Sequence, residues 1–348
     1  MTDTFFTMCT AVPSVLGELG PIARRSIASW QALNPAPEII LLGDGEGIAE
    51  LTAEFSVKHL PMVGRNNFGT PLLGSALHAL RNNSSNALAV FTHCDVIFDQ
   101  SLADALMISS STFPQFLLKG GREGATHKFD YFAFHGNPWA SYIPHFALGK
   151  GEYDHWLVGE ALHNGFMVID GTQRVKVLHQ SHSYLHTLWG SAERLASSVE
   201  VRMNNEIMCG GKFFRLREAF THRLTASGME QISDELYQRN VGEFQTFAKL
   251  RPQIIMGLSQ HFQSQLLYAL SLGKADLAWH KLLKIERTTP AFPGLALLRA
   301  LCLEGSGRDV EAKEAANVLI DDPVYGQAAR NLISSLGLPN PRVQSTNQ

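Results

Sequence analysis

Apolar and polar positions along this chain fall into short blocks whose periodicity switches between that of strands and that of helices. Residues 5–12 form an apolar, strand-like run, and a loop follows from Pro13 to Gly20. From Pro21 the spacing becomes helical, with Ile22, Ile27 and Trp30 on one side and Arg24 and Arg25 on the other, ending near Asn34-Pro35. Glu38-Ile-Ile-Leu-Leu42 reads as a buried strand closed by Gly43-Asp44-Gly45. A helix is predicted over Ile48–Phe55, a short strand over Val57–Leu60, and a helix from Pro71 to about Arg81. Ala87 to Phe91 then has the length of another buried strand. Strands alternating with helices in this way predict an α/β domain with a mostly parallel, doubly wound sheet.

Past about residue 190 strand-like runs disappear, and from Phe262 the pattern is helical. Two segments resemble each other at an offset of about 32 residues, close to the period of tetratricopeptide-like hairpins. One is Leu267 to Gly273 followed by Ala275 and Ala278; the other is Leu298 to Gly305 followed by Ala312 and Ala315. Small residues there let paired helices approach closely, although a generic helical bundle with a chance echo gives the same pattern. The expected organisation is an α/β domain over 1–190, a helical connector over 191–260, a tetratricopeptide-like helical domain over 261–336 and a flexible tail over 337–348. At 348 residues the chain is long enough for about two domains.

Composition narrows the function classes. The chain is 45% hydrophobic and 18% charged, as folded proteins are, with 29 basic against 32 acidic residues and a net charge of −3. No Lys/Arg block is present, which disfavours nucleic acid or an anionic membrane as partner. Cys9, Cys94, Cys209 and Cys302 lie far apart, with no C-x-x-C pair, which fits a reducing compartment rather than a zinc knuckle or disulfide framework. No basic n-region opens the chain, and no apolar run approaches the roughly 18 residues of a membrane span. A cytoplasmic protein without a membrane segment is expected.

The segment Thr92-His-Cys-Asp-Val-Ile-Phe-Asp99 carries the leading chemical signal. Asp95 follows a buried strand, and open α/β sheets bind ligands in the crevice outside the carboxyl ends of their strands. A carboxylate there can hold a divalent cation that bridges phosphate oxygens. The plain structural reading is a strand-to-turn junction with an Asp capping the next element. Asp154 lies within Gly151-Glu-Tyr-Asp-His-Trp156, just ahead of an apolar helical pattern, where an N-cap role is the simple explanation. His179, His182 and His186 follow the strand-like Val175–Leu178; they either ligate a cation or cap the sheet and pack on Tyr184 and Trp189. The glycines beside Asp44 make no G-x-G-x-x-G fingerprint, and no G-x-x-x-x-G-K-[ST] occurs, so NAD-dependent and P-loop chemistry are not expected.

Taken in order, Cys9-Thr-Ala11, Leu41-Leu-Gly-Asp44, Arg65-Asn66, Gly69-Thr-Pro-Leu72, the Asp95 segment, Asp130-Tyr-Phe-Ala-Phe134, Gly151 to Trp156 and His179-Gln-Ser-His182 resemble the bacterial GT-A-type glycosyltransferases. The resemblance covers roughly half of the chain and implies a Rossmann-like GT-A fold. These enzymes use a D-x-D motif to hold Mn2+ or Mg2+ against the diphosphate of a sugar donor. Here the triplet is His93-Cys94-Asp95, so only the last carboxylate is kept. The resemblance implies Asp95 as a metal ligand with His179 or His182, and His93 as a hydrogen-bonding group near the ribose or metal. It implies Asp154 as the base that takes a proton from the acceptor hydroxyl, with Glu152 as its alternate. Thr10 and Ala11 would line the base and ribose pocket, Asp44 would bond the base or ribose, and Asp130 would bind donor or acceptor hydroxyls. Arg65 would pair with the diphosphate or sit in a surface salt bridge, and Lys119 and Arg122 are further phosphate or sugar contacts.

The expected activity is therefore transfer of a sugar from a UDP- or GDP-sugar to a glycan or glycolipid acceptor, in surface polysaccharide or glycoconjugate synthesis. The C-terminal helices would supply an acceptor-binding, protein-partner or self-association surface. The alternative is a non-catalytic scaffold with a degenerate transferase domain, kept open by the missing first Asp. A nucleotidyltransferase is disfavoured because no basic Gly-rich loop lies near the first strand.

Overall fold

A computed structural model describes residues 4–122, 129–139, 143–183, 190–208, 219–238 and 243–336. Tyr184, His186, Trp189, Cys209 and the tail from 337 lie outside them. The chain divides into two compact units, Met1–Lys249 and Leu250–Gln348.

The first unit opens with β1 (Thr7–Ala11), α1 (Leu19–Gln31), β2 (Glu38–Leu42), α2 (Ile48–Phe55), β3 (Lys58–Leu60), α3 (Leu73–Asn83) and β4 (Leu88–Thr92). It continues with β5 (Val96–Phe98), α4 (Ser101–Thr112), β6 (Phe116–Gly120), β7 (Tyr131–His135), α5 (Tyr153–His163), β8 (Met167–Asp170) and β9 (Val177–His179). Then come α6 (Ala192–Ala196), α7 (Val199–Ile207), β10 (His222–Thr225), β11 (Gly228–Gln231) and α8 (Asp234–Tyr237). The nine-stranded sheet runs β11-β10-β8-β6-β7-β4-β1-β2-β3, and β5 pairs with β9 in a separate antiparallel ribbon. The expected α/β architecture, a mostly parallel sheet flanked by helices, is what the chain forms. Its departures from parallel order are β7, which runs antiparallel to both neighbours, and the β10-β11 hairpin.

That hairpin corrects the expectation that strands end near residue 190. His222-Arg-Leu-Thr225 and Gly228-Met-Glu-Gln231 are short and polar, and Leu224 is their one fully buried side chain. A half-exposed edge hairpin leaves almost no hydrophobic alternation to read. It joins the sheet through parallel pairing of β10 with β8.

The sheet core explains the order of the inner strands. Met8, Ile40, Leu41, Val90, Phe116 and Leu118 are excluded from solvent on strands that are largely apolar, as strands covered on both faces tend to be. The helix predicted from Pro21 begins at Leu19, and Ile22, Ile27 and Trp30 form its buried side as the spacing requires. Trp30 is fully buried, and its indole N–H donates to the Val96 carbonyl at 2.9 Å. That bond ties α1 to the strand that follows Asp95.

In the second unit, α9 (Glu243–Ser271), which spans the boundary, leads into α10 (Ala275–Thr288), α11 (Leu295–Gly305), α12 (Asp309–Asn317) and α13 (Gly326–Ser335). Leu266 and Ala269 of α9 cluster with Ala278, Leu282 and Ile285 of α10 and Leu298 and Cys302 of α11. A second cluster joins Ala300, Ala316, Ala329 and Leu332 of the last three helices. Alanines at these crossings allow close approach. Among the described residues no helix is long and apolar enough to cross a membrane.

Candidate functional site

The chain places β2 and β3 on one side of β1 and β4 on the other, so the strand order reverses between β1 and β4. Loops leaving the two strands at such a point diverge and open a crevice. Ala11 at the end of β1 and His93, Cys94 and Asp95 after β4 line a cleft of about 440 Å3 there. Arg65, Thr70, Lys150, Glu200, His179 and His182 line it too. A second cleft, of about 390 Å3, shares His93, Gly149, His179 and His182 with the first and adds Arg122, Asp130, Tyr153 and Asp154.

Four predicted residues meet where the clefts join. His182 Nε2 stands 2.8 Å and His179 Nε2 3.4 Å from Asp95 Oδ2, and His179 Nε2 is 3.9 Å from Asp130 Oδ1. The His182 ring is oriented from its far side, where Nδ1 lies 2.7 Å from the Ser183 carbonyl oxygen. A carbonyl only accepts, so the ring carries a proton on Nδ1. At 2.8 Å, His182 Nε2 and Asp95 Oδ2 are bridged either by a second ring proton or by a cation. Asp95 Oδ1 is buried and has no hydrogen-bond partner among the described residues, so the carboxylate retains acceptor capacity on its other oxygen. Burial is the main influence holding His179 below the usual histidine range, against the opposing pull of Asp95 and Asp130.

These observations test the fit of a divalent cation. Among the described residues no three His, Cys, Asp or Glu side chains are already grouped to hold a metal. A carboxylate with imidazoles alongside fits Mn2+ better than Mg2+: both take one or two protein carboxylates and complete their shell with phosphate oxygens and water, but Mn2+ is the one that tolerates imidazole. A histidine whose other nitrogen donates to a backbone carbonyl is the usual arrangement at a metal.

Gln180, between the two histidines, fixes their segment. Its peptide N–H donates to the Asp95 carbonyl at 2.9 Å, and its side-chain amide donates to the Ile22 carbonyl at 3.0 Å and to Ser26 Oγ at 2.9 Å. Its side-chain oxygen accepts from Arg25 Nε at 2.6 Å. Sequence reasoning passed over this residue, because its partners lie about 155 positions away on α1.

Asp154 occupies the first turn of α5 and lines the second cleft, with Oδ1 buried and without a partner among the described residues. The turn before it is tight: Gly149, Gly151 and Glu152 all have positive φ, +69°, +72° and +66°. Glycine takes this conformation freely, whereas a residue with a Cβ pays roughly 1–2 kcal/mol. Glu152 is the residue preceding α5 and lines neither cleft. His93 Nε2 lies 3.5 Å from the Tyr153 hydroxyl. Asp130 accepts the Arg122 backbone N–H at 2.9 Å and is almost fully buried.

Other predicted residues sit further out. Thr10 is fully buried, and its hydroxyl has no hydrogen-bond partner among the described residues; Ala11 is the β1 residue that meets the cleft. Arg65 reaches the cleft with its guanidinium already engaged by Asp44 and the Gly69 carbonyl, while Asp44 lines neither cleft. Lys119 is buried between the rings of Phe129 and Phe220, 4.7 and 5.2 Å from their centroids. Asp99 stands two residues before α4 and accepts the Ser101 N–H at 3.0 Å. Cys94 lines the first cleft, but its thiol is pushed up to about 12 by burial and then by Asp95, so it is no nucleophile at neutral pH.

No family model and no curated protein sequence matches the chain. Among solved structures, GlyE, a glycosyltransferase of Streptococcus pneumoniae, aligns over 38% of this chain and 34% of its own, with 15% identity and a TM-score of 0.27. A Desulfovibrio desulfuricans protein assigned to the nucleotide-diphospho-sugar transferases aligns over 38% of this chain and 64% of its own, with 13% identity and a TM-score of 0.29. Residues 1–349 of Staphylococcus aureus TarS, solved with UDP, align over 96% of this chain and 90% of theirs, with 11% identity and a TM-score of 0.31. The chain thus covers less than two thirds of the first two proteins.

Proposed function

We propose that this chain transfers a sugar from a nucleoside-diphosphate sugar to an acceptor hydroxyl, with a divalent cation at Asp95 and His182. The observation that carries this reading is the approach of His182 Nε2 to Asp95 Oδ2 at 2.8 Å, beside a nucleotide-sized cleft at the reversal of strand order. Asp95 and His182 would hold the cation, with His179 alongside. When bound, it would act as a Lewis acid toward the departing diphosphate.

The chain's own groups divide the remaining work. The larger cleft, with Ala11 and Arg65 on its wall, takes the nucleotide, and the smaller one takes the sugar and acceptor. Asp154 accepts the proton of the acceptor hydroxyl as that oxygen bonds to the anomeric carbon and the carbon–phosphate-oxygen bond breaks, releasing nucleoside diphosphate. Its place in the second cleft favours it over Glu152 for this role. Asp130 hydrogen-bonds a substrate hydroxyl. The setting we assign is surface polysaccharide or glycoconjugate synthesis in the cytoplasm, with the helical unit engaging the acceptor or a protein partner.

The test is nucleoside diphosphate release from UDP- and GDP-sugars in Mn2+ with a glycan acceptor panel. Asp154→Asn should bind donor as the wild type does and lose turnover by about 100-fold or more. Turnover within a few-fold of wild type would refute the base. Absence of donor binding by the wild-type chain would refute the transferase reading.

A further inference from the structure

Sequence patterning singled out neither Lys150 nor Glu200, yet both line the larger cleft as a buried ion pair. The Lys150 side chain is 8% exposed and that of Glu200 1%, with Nζ and Oε2 3.5 Å apart. That separation exceeds the 2.7–2.9 Å of a charge-assisted hydrogen bond, so the ammonium, with three donors, is held in place without being saturated. Glu200 is itself anchored, because Asn66 Nδ2 donates to its other oxygen at 2.8 Å. Asn66 in turn accepts the N–H groups of Phe68 and Thr70, fixing a second loop that lines the cleft.

The loop carrying Lys150 is equally constrained. Asn204, one turn beyond Glu200 on the same face of α7, accepts the Ala147 N–H and donates to the Ala147 and Gly151 carbonyls, each at 2.9 Å. One helix face therefore sets both the position of the lysine and the carboxylate that holds it.

The charges lining the cleft nearly cancel. Arg65 and Lys150 stand against Asp95 and Glu200, and the Arg65 guanidinium is already engaged by Asp44 and Gly69. A ligand bearing two or three negative charges needs a cation that can turn toward it. We infer that Lys150 is the diphosphate-binding cation of the larger cleft, parked on Glu200 and exchanging that carboxylate for phosphate oxygens. This inference rests on the nucleotide-sugar reading and adds a binding residue to it.

A parked cation and a structural ion pair respond oppositely to loss of the carboxylate, which makes the inference testable. Binding of UDP, GDP and the corresponding nucleosides in Mn2+ would be measured by calorimetry for wild type, Lys150→Met, Glu200→Gln and the double variant. Lys150→Met should weaken nucleoside diphosphate binding at least tenfold and leave nucleoside binding within twofold. Glu200→Gln should tighten diphosphate binding severalfold, because the lysine no longer leaves a competing charge. The double variant, in which no buried carboxylate is left without its lysine, should retain the loss. Unchanged diphosphate affinity in Lys150→Met overturns the inference alone, as does equal weakening by the two single variants. If the wild-type chain binds no nucleoside diphosphate, the transferase reading falls and this inference with it.

Discussion

Asn204 offers a quantitative test of how the site is held. Its carboxamide treats Ala147 as a neighbouring strand would, taking the backbone N–H on Oδ1 and meeting the carbonyl with Nδ2, which also reaches Gly151. Ala147 is 2% exposed and Asn204 1%, so little water competes for these groups. Asn204→Ala strands one N–H and two carbonyls. An unsatisfied buried group costs about 1–3 kcal/mol, and water entering the vacated space favours the low end, giving about 3 kcal/mol in all. For a unit of this size that is a fall of about 6–12 °C in Tm. Asn204→Asp is isosteric but points a carboxylate at two carbonyls, and we expect at least the same loss. Trp30, Trp139, Trp156 and Trp189 belong to the first unit and Trp279 alone to the second, so denaturation followed by tryptophan fluorescence reports chiefly on the first. A loss below about 1 kcal/mol for Asn204→Ala would refute the brace, as would an Asp variant more stable than the Ala variant.

Trp30→Phe leaves the Val96 carbonyl unpaired and opens a small void, and should cost about 2–3 kcal/mol by the same measurement; a neutral result would show that the indole bond contributes nothing. Gln180→Ala frees the segment bearing both histidines from α1, and should weaken Mn2+ binding about tenfold at nearly unchanged nucleoside affinity. Metal affinity measured by calorimetry that stays within twofold of wild type would remove Gln180 from this role.

The parts of this structure that were legible in the sequence are those whose information is local. Glu38–Leu42 and Ile48–Phe55 were bounded correctly because an unbroken apolar run and a helical face each declare themselves within a few residues. Asp95 could be placed because the end of a buried strand can be seen from its own run. The β10-β11 hairpin was not legible, since its strands face solvent and carry little apolar pattern. The supporting residues were hidden for another reason. Asn66 and Glu200 are 134 positions apart, and Gln180 meets α1 across about 155. Such polar pairs leave no periodicity, because their partners are chosen by the topology of the sheet and not by neighbours in the chain.

In the proposed function, Asp95 and His182 make nucleotide binding depend on a divalent cation. The most direct measurement is thermal stabilisation of wild type and Asp95→Ala by UDP, GDP and CMP and their sugars, with Mn2+ and with EDTA. A ligand at 100 times its Kd adds about 2.7 kcal/mol, or about 5–10 °C for the first unit. We expect that shift in the wild type with Mn2+ only, for one nucleotide class, and none in Asp95→Ala. Shifts of equal size in EDTA or in the variant would contradict the metal assignment, and no shift with any nucleotide would favour a scaffold role instead.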